Sequence, residues 1–268
     1  MPALPHIHDV GKQRLRTLVD GAAEAGPRLP LVHSTDSYVL EDVLTAKQLE
    51  PQPCNVFGEN LTYLFYGRPA FRPNNDAAPT SLSHYFPVCL ILRPGWAIAI
   101  KRIYPFDSGA FIQGFYENYL HKAMRLADFG LEPDSATPGK LIGGFFGSVP
   151  AYLTGKPGAA PTLDPSEFEA FSYHALISAQ ESNAIDSRGS GVEIQTGAPL
   201  PIAESVAAVV LPSTFADGAT GQALNALGVD LLPYRVVSRS RPSEYMSMIT
   251  DICFNYYIRM GLISEADL

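Results

Sequence analysis

A strand that turns into a helix is written into Leu29-Pro30-Leu31-Val32-His33-Ser34-Thr35-Asp36-Ser37. Leu29 to His33 reads as a short buried strand. Thr35, Asp36 and Ser37 offer helix N-caps, and Val39, Leu40, Val43 and Leu44 follow at helical spacing. Toward the N-terminus, residues 9–24 read as a helix ending near Gly26-Pro27. Toward the C-terminus, Leu49 to Asn60 is a polar loop with two prolines and a glycine. Leu61 to Tyr66 is a β-forming aromatic run stopped by Gly67-Arg68-Pro69.

Tyr85 to Leu92 and Trp96 to Ile103 read as paired strands around the turn Arg93-Pro94-Gly95. Helices are expected over Phe111 to Phe129, over Pro165 to Glu181 with Pro165 in its first turn, over Ala216 to Leu227 and over Pro242 to Met260. Gly191 to Gln195 and Val206 to Leu211 read as strands. Strands before, between and after helices, without regular βαβ alternation, specify an α+β fold. The expected organisation is one domain over 1–268. A Gly/Pro-rich, weakly structured insertion is expected around 132–164, and a C-terminal helix around 242–260.

The chain has 268 residues, 46% hydrophobic and 17% charged, enough apolar material for a core. Val88 to Leu92 and Val206 to Leu211 are the longest apolar runs and are too short to span a bilayer. The N-terminus leads into Gly11-Lys12-Gln13-Arg14 without an apolar core and cleavage site, so no signal peptide is expected. Cys54, Cys89 and Cys253 are widely spaced and odd in number, which fits reduced thiols and a cytoplasmic location. The net charge of −8 argues against a sequence-general nucleic-acid binder, although a local basic groove is compatible with it.

Three short constellations carry candidate chemistry. The first is His33-Ser34-Thr35 at a strand end; the plain alternative is an N-cap at Thr35 beside a core histidine. The second runs from Tyr63 through Tyr66-Gly67-Arg68-Pro69 to Arg72. Aromatic strand residues are usually core, but arginines just past a strand end can grip phosphate oxygens bidentately. The third is Arg188-Gly189-Ser190-Gly191-Val192-Glu193-Ile194-Gln195, where a carboxylate interrupts a Val/Ile strand; such a residue either faces solvent or needs a partner. Glu181 is a weaker carboxylate candidate. His84, His121 and His174 have no partner spacing, and nothing fixes a geometry for Cys54 as a nucleophile. No GxGxxG, Walker-type loop, HExxH or GxSxG occurs, which removes the Rossmann mode of dinucleotide binding.

In this order the three constellations resemble the ADP-ribosyltransferase superfamily, and within it the DNA-targeting toxins of the DarT type. The resemblance spans about residues 29 to 215 and includes Tyr104-Pro105-Phe106-Asp107 and the segment Ala198-Pro199-Leu200-Pro201-Ile202. It implies split central β-sheets flanked by helices and NAD as the substrate. Nicotinamide would be released and ADP-ribose transferred to a macromolecular acceptor, with nucleic acid (DNA or RNA) favoured and protein as the other choice. It implies that Glu193 is the catalytic anion, and that either Arg68 or Arg72 neutralises the diphosphate. His33 would hydrogen-bond the ribose on the adenosine side with Thr35 helping to position it, Tyr66 would stack on nicotinamide, and Ser34 and Tyr63 would be further NAD-binding residues. A toxin or anti-phage role, with an antitoxin partner, follows from the resemblance alone; no membrane partner is expected, because the apolar runs are short. The competing readings are an NAD glycohydrolase, an RNA 2′-phosphotransferase-like enzyme, and a non-catalytic domain that binds a partner through residues 132–164.

Overall fold

The computed structural model describes residues 4, 7, 9–71, 79–179 and 187–268. Their strands are β1 (Leu31–Asp36), β2 (Gln48–Leu49), β3 (Gln52–Cys54), β4 (Glu59–Tyr66), β5 (Pro87–Leu92), β6 (Ile100–Tyr104), β7 (Glu193–Thr196), β8 (Leu200–Pro201), β9 (Val206–Pro212) and β10 (Asp230–Tyr234). The main sheet is eight-stranded, in the order β10-β9-β5-β1-β4-β7-β6 with β3 also on β4; β2 and β8 form a separate ribbon. The sheet is mixed: β9 and β10 run parallel, whereas the other paired strands are antiparallel.

Helices flank this sheet, giving an α+β architecture. They are α1 (Arg14–Asp20), α2 (Ser37–Ala46), α3 (Ser108–Ile112), α4 (Thr137–Phe145), α5 (Val149–Leu153), α6 (Phe168–Ser178), α7 (Ile202–Ser205), α8 (Ser213–Ala216), α9 (Ala219–Ala226) and α10 (Met246–Arg259).

The strand runs past its expected end at His33, and the helix is capped by the middle of the three offered residues. β1 runs on through Thr35 to Asp36, whose carboxylate caps α2 by accepting from the Val39 N–H at 2.9 Å. The expected pairing of Tyr85–Leu92 with Trp96–Ile103 does not form. All six residues of β5 are buried, so it lies in the sheet centre between β1 and β9. β6 buries only its C-terminal end and takes the edge beside β7.

The expected long helix over Phe111–Phe129 is also replaced. α3 stops at Ile112, Gly114 takes φ +80°, and irregular turns fold Phe111, Tyr116 and Phe129 around the buried ring of Phe106. The 132–164 segment is not weakly structured, since it carries α4 and α5 and buries Leu141, Ile142, Phe145, Val149 and Tyr152. Its glycines serve close packing: a Cβ on Gly143 would stand 2.1 Å from the Ala23 carbonyl oxygen.

β1 pairs with β5 over five residue pairs, from Val32 to Asp36, but with β4 over only two, Leu31↔Tyr66 and Val32↔Phe65. Beyond Val32 the two central strands part, and the sheet opens into a divide between His33 and Tyr63.

Candidate functional site

His33 stands at the point of parting. Its Nδ1 lies 2.8 Å from the Tyr63 carbonyl oxygen, so Nδ1 carries the proton and Nε2 is left as an acceptor. Burial lowers the imidazole pKa, which keeps the ring neutral. Two cavities meet at this residue. One, of about 350 Å³, is lined by His33, Ser34, Tyr63, Phe65, Asp107 and Glu193, among others. The other, of about 480 Å³, is lined on one side by His33, Ser34 and Thr35 and on the other by Thr62 and Tyr63, with Asp42 and Glu50 at its edge.

Two hydroxyls in these walls, Ser34 Oγ and Thr62 Oγ1, are buried without a hydrogen-bond partner among the described residues. Buried polar groups are rarely left so, and each such group asks for an explanation. A hydroxyl-bearing ligand in the divide would supply one.

Glu193 opens β7, opposite Phe65 on β4 and Tyr104 on β6. Residues directly opposite in an antiparallel pair share a face, so Glu193, Phe65, Tyr63 and Gln195 all point to one side of the sheet. The carboxylate is 1% exposed and held by three donors. Ser108 N–H donates to Oε2 at 2.9 Å and Ser108 Oγ to Oε1 at 2.7 Å. Gln195 Nε2 donates to Oε1 at 2.7 Å. The Gln195 amide is oriented in turn by Arg102, whose Nη1 donates to Gln195 Oε1 at 3.2 Å.

Burial, reinforced by the negative charge of Asp107, pushes the Glu193 carboxyl up to about 8, against the pull of its hydrogen bonds. Asp107 caps α3 through the Ala110 N–H at 2.8 Å and faces Arg188 Nη1 at 3.6 Å. The cleft thus places a fixed carboxylate with a raised pKa in one wall and a neutral imidazole in another.

The residues singled out from sequence separate into two groups. His33, Ser34, Thr35, Tyr63 and Glu193 line the two cavities. Tyr66 lines neither. It sits an odd number of residues from Tyr63 and so points to the opposite face, where its hydroxyl accepts from the Leu29 N–H at 2.9 Å. Arg68 lines neither cavity as well. It is 8% exposed, donates to the Tyr152 carbonyl at 3.2 Å and to Ser190 Oγ at 2.7 Å, and lies over the Tyr152 ring at 5.4 Å. These contacts tie the end of β4 to α5 and to the approach to β7. Arg72 and Glu181 lie outside the described residues.

His174 bonds the Gly158 carbonyl, and His84 packs between Tyr38 and Tyr85; neither lines the two cavities. The Cys54 Sγ meets the Tyr63 hydroxyl at 2.7 Å, which fixes that ring at the cavity wall. The three cysteines are free thiols.

Sequence reasoning did not single out Phe65, Ser108 or the role of Gln195. The period of two along a strand is the signal for Gln195, which must share a face with Glu193. Ser108 carries no such signal, because it reaches Glu193 from 85 residues away in sequence.

Among the described residues no helix is long and apolar enough to cross a membrane, and no group of His, Cys, Asp or Glu is placed to hold a metal ion. Comparison with protein-family models, with curated proteins and with solved structures gives no match.

Proposed function

We propose that this chain is an NAD-consuming ADP-ribosyltransferase, built as one ADP-ribosyltransferase-like domain, with a macromolecular acceptor for which nucleic acid is the favoured class. The observation that carries this reading is the juxtaposition of Glu193 with His33 and Tyr63 around one cleft, at the place where β1 and β4 part. These residues come from the three constellations whose order resembles that of the superfamily, and they are far apart in sequence.

The chemistry required is cleavage of the bond between the nicotinamide nitrogen and ribose C1′. The bonding pair returns to the nicotinamide ring and cancels its positive charge, while C1′ becomes cationic. Glu193 answers that cation with a carboxylate already held by Ser108 and Gln195, so little reorganisation accompanies bond breaking. An N–H or O–H of the acceptor then bonds to C1′, and Glu193 takes its proton.

His33 Nε2 accepts from a ribose hydroxyl, and Ser34 Oγ and Thr35 add polar contacts along the same edge. Tyr63 and Phe65 offer ring surface to nicotinamide, in place of Tyr66. A cationic partner for the diphosphate is not supplied by Arg68, which leaves that role in this reading to Arg72.

The test is nicotinamide release from NAD by wild-type protein and by Glu193→Ala, each with and without single-stranded DNA, RNA or cell lysate. Release that disappears in the variant and rises with one additive supports transfer and names the acceptor class. Release that needs no additive and yields free ADP-ribose replaces transfer by hydrolysis. No release under any condition, with no thermal shift on adding NAD, removes the NAD reading.

A further inference from the structure

Three arginines fall within seven residues at Arg235-Val236-Val237-Ser238-Arg239-Ser240-Arg241, in a chain whose net charge is −8. All three are exposed, and none is paired with a carboxylate among the described residues. Glu244 meets this loop at the Arg241 N–H, at 3.1 Å. Guanidiniums gathered without counter-ions mark a place for an anion, and for phosphate in particular.

The loop is held in place against the segment that leads into β5. Thr80 N–H donates to the Ser240 carbonyl at 3.1 Å, and the Ser81 and Ser238 hydroxyls meet at 2.9 Å. Val237 N–H donates to the Tyr245 hydroxyl at 2.7 Å. Arg239 holds φ +63°, so an arginine stands where glycine is the easier residue.

The segment so pinned carries exposed aromatic rings. A 3₁₀ turn over Ser83–Tyr85 follows Ser81 within two residues. The His84 ring lies 4.4 Å from that of Tyr85 and 6.5 Å from that of Tyr38 on α2. Tyr38 is 67% exposed and Tyr85 50%, and His84 is exposed as well. Single exposed rings are ordinary, but three in contact beside unpaired arginines combine the two groups that grip a single strand.

The cluster also stands at the open end of the sheet. Asp36 at the end of β1 pairs with Pro87, two residues beyond Tyr85. Tyr38 immediately precedes Val39, which lines the 480 Å³ cavity shared with His33. From Asp36 back to His33 is three strand residues, about 10 Å.

We propose that Tyr38, His84, Tyr85 and the arginines of 235–241 form a docking surface for single-stranded nucleic acid. Phosphates meet the guanidiniums, and unpaired bases stack on the rings. A duplex keeps its base faces inside and can use only the arginines. The binding stands whether or not the cleft turns over NAD; the presentation of this strand to the cleft as acceptor rests on the proposed function.

The test is fluorescence anisotropy with the full chain in the absence of NAD, so that its outcome is independent of turnover. The probes are labelled oligothymidylate and oligouridylate of about 12 nucleotides, within the usual site size. A duplex of the same length and polyglutamate are the comparisons. Saturable binding of a single strand is expected, with DNA and RNA told apart by the two probes. The duplex and polyglutamate should bind at least about tenfold more weakly. Three arginines at about 0.7 each give log K a slope of about −2 against log salt.

Replacing Arg235, Arg239 and Arg241 together by Gln should flatten that slope and weaken binding about tenfold or more. Tyr38→Ala with Tyr85→Ala should weaken the single strand about fivefold or more and leave the duplex little changed. All these side chains are exposed, and thermal melting checks that the variants fold. No binding of either single strand at low salt overturns the proposal. So does binding that survives both variants. Polyglutamate bound as tightly as the oligonucleotides replaces nucleic acid by an acidic protein partner.

Discussion

Ser108 satisfies both oxygens of the Glu193 carboxylate, through its backbone N–H on Oε2 and its hydroxyl on Oε1. The serine is the first residue of α3, so the start of a short helix and the start of β7 are joined by one side chain and one amide. This contact presents the carboxylate and restricts its rotation. Ser108→Ala deletes the hydroxyl bond but leaves the amide bond and Gln195 in place. A hydrogen bond to a charged group is worth about 1.5–3 kcal/mol, so nicotinamide release should slow by about 10- to 100-fold with KM for NAD little changed. An unchanged rate would show that Ser108 does not prepare Glu193 for the reaction.

The raised pKa of Glu193 makes two linked predictions about pH. The folded carboxyl lies near 8 instead of 4.5, with burial as the larger cause and Asp107 as the second. The ionised form needed to oppose a cation therefore accumulates as pH rises, and kcat/KM should climb through about pH 8. Asp107→Asn keeps the cap on α3 but removes the like charge, and should move that limb to lower pH. For stability the sign is opposite. Between 4.5 and 8 the native state retains a proton that the unfolded chain has released, so stability falls as pH rises across that window and levels off above it. Urea midpoints of wild type and Glu193→Gln should diverge between pH 5 and pH 8.5, with the variant gaining. Parallel midpoints across this range would mean that Glu193 is ionised throughout.

The two tyrosines of β4 show what could be read from the sequence and what could not. Period-two alternation puts Tyr63 and Tyr66 on opposite faces, a signal that assigning both to NAD passed over, and it does not say which face is the cleft, because that depends on β7 pairing Phe65 with Glu193. The same limit applies to β5 and β6. Their turn was legible, yet their partners were set by which strand could be buried on both faces. His33 and Glu193 were legible because polar residues within apolar strands stand out. Phe65→Ala should therefore raise KM for NAD several-fold, whereas Tyr66→Phe should leave KM unchanged. The latter should cost about 1–3 kcal/mol of stability by stranding the Leu29 N–H. Steady-state kinetics and urea unfolding of the two variants separate these outcomes.

Arg68 is predicted to act on stability. Its guanidinium is buried, and its hydrogen bonds and ring contact join β4 to Tyr152 and Ser190. Burial lowers its pKa, the direction expected when a cation leaves water. Arg68→Met preserves much of the stem and removes the donors, and should destabilise by about 2–4 kcal/mol in urea unfolding. At a temperature where the variant is folded, KM for NAD should stay within about twofold of wild type, since an interaction away from the ligand does not enter its binding energy. A large rise in KM without a loss of stability would return Arg68 to the diphosphate.

Ser34 offers the sharpest separation of folding from binding. Its hydroxyl is buried in the wall shared by both cavities and has no partner among the described residues. An unsatisfied buried hydroxyl costs about 1–3 kcal/mol, so Ser34→Ala should make the ligand-free protein more stable by about 1 kcal/mol. Most substitutions in a central strand destabilise, which makes a gain here informative. If the hydroxyl exists to meet a ribose, the same variant should lose affinity for NAD, and the rise in Tm that NAD gives wild type should shrink. Melting both proteins with and without NAD measures the two effects together. A variant that is both less stable and equally shifted by NAD would assign Ser34 to packing and take the hydroxyl out of the site.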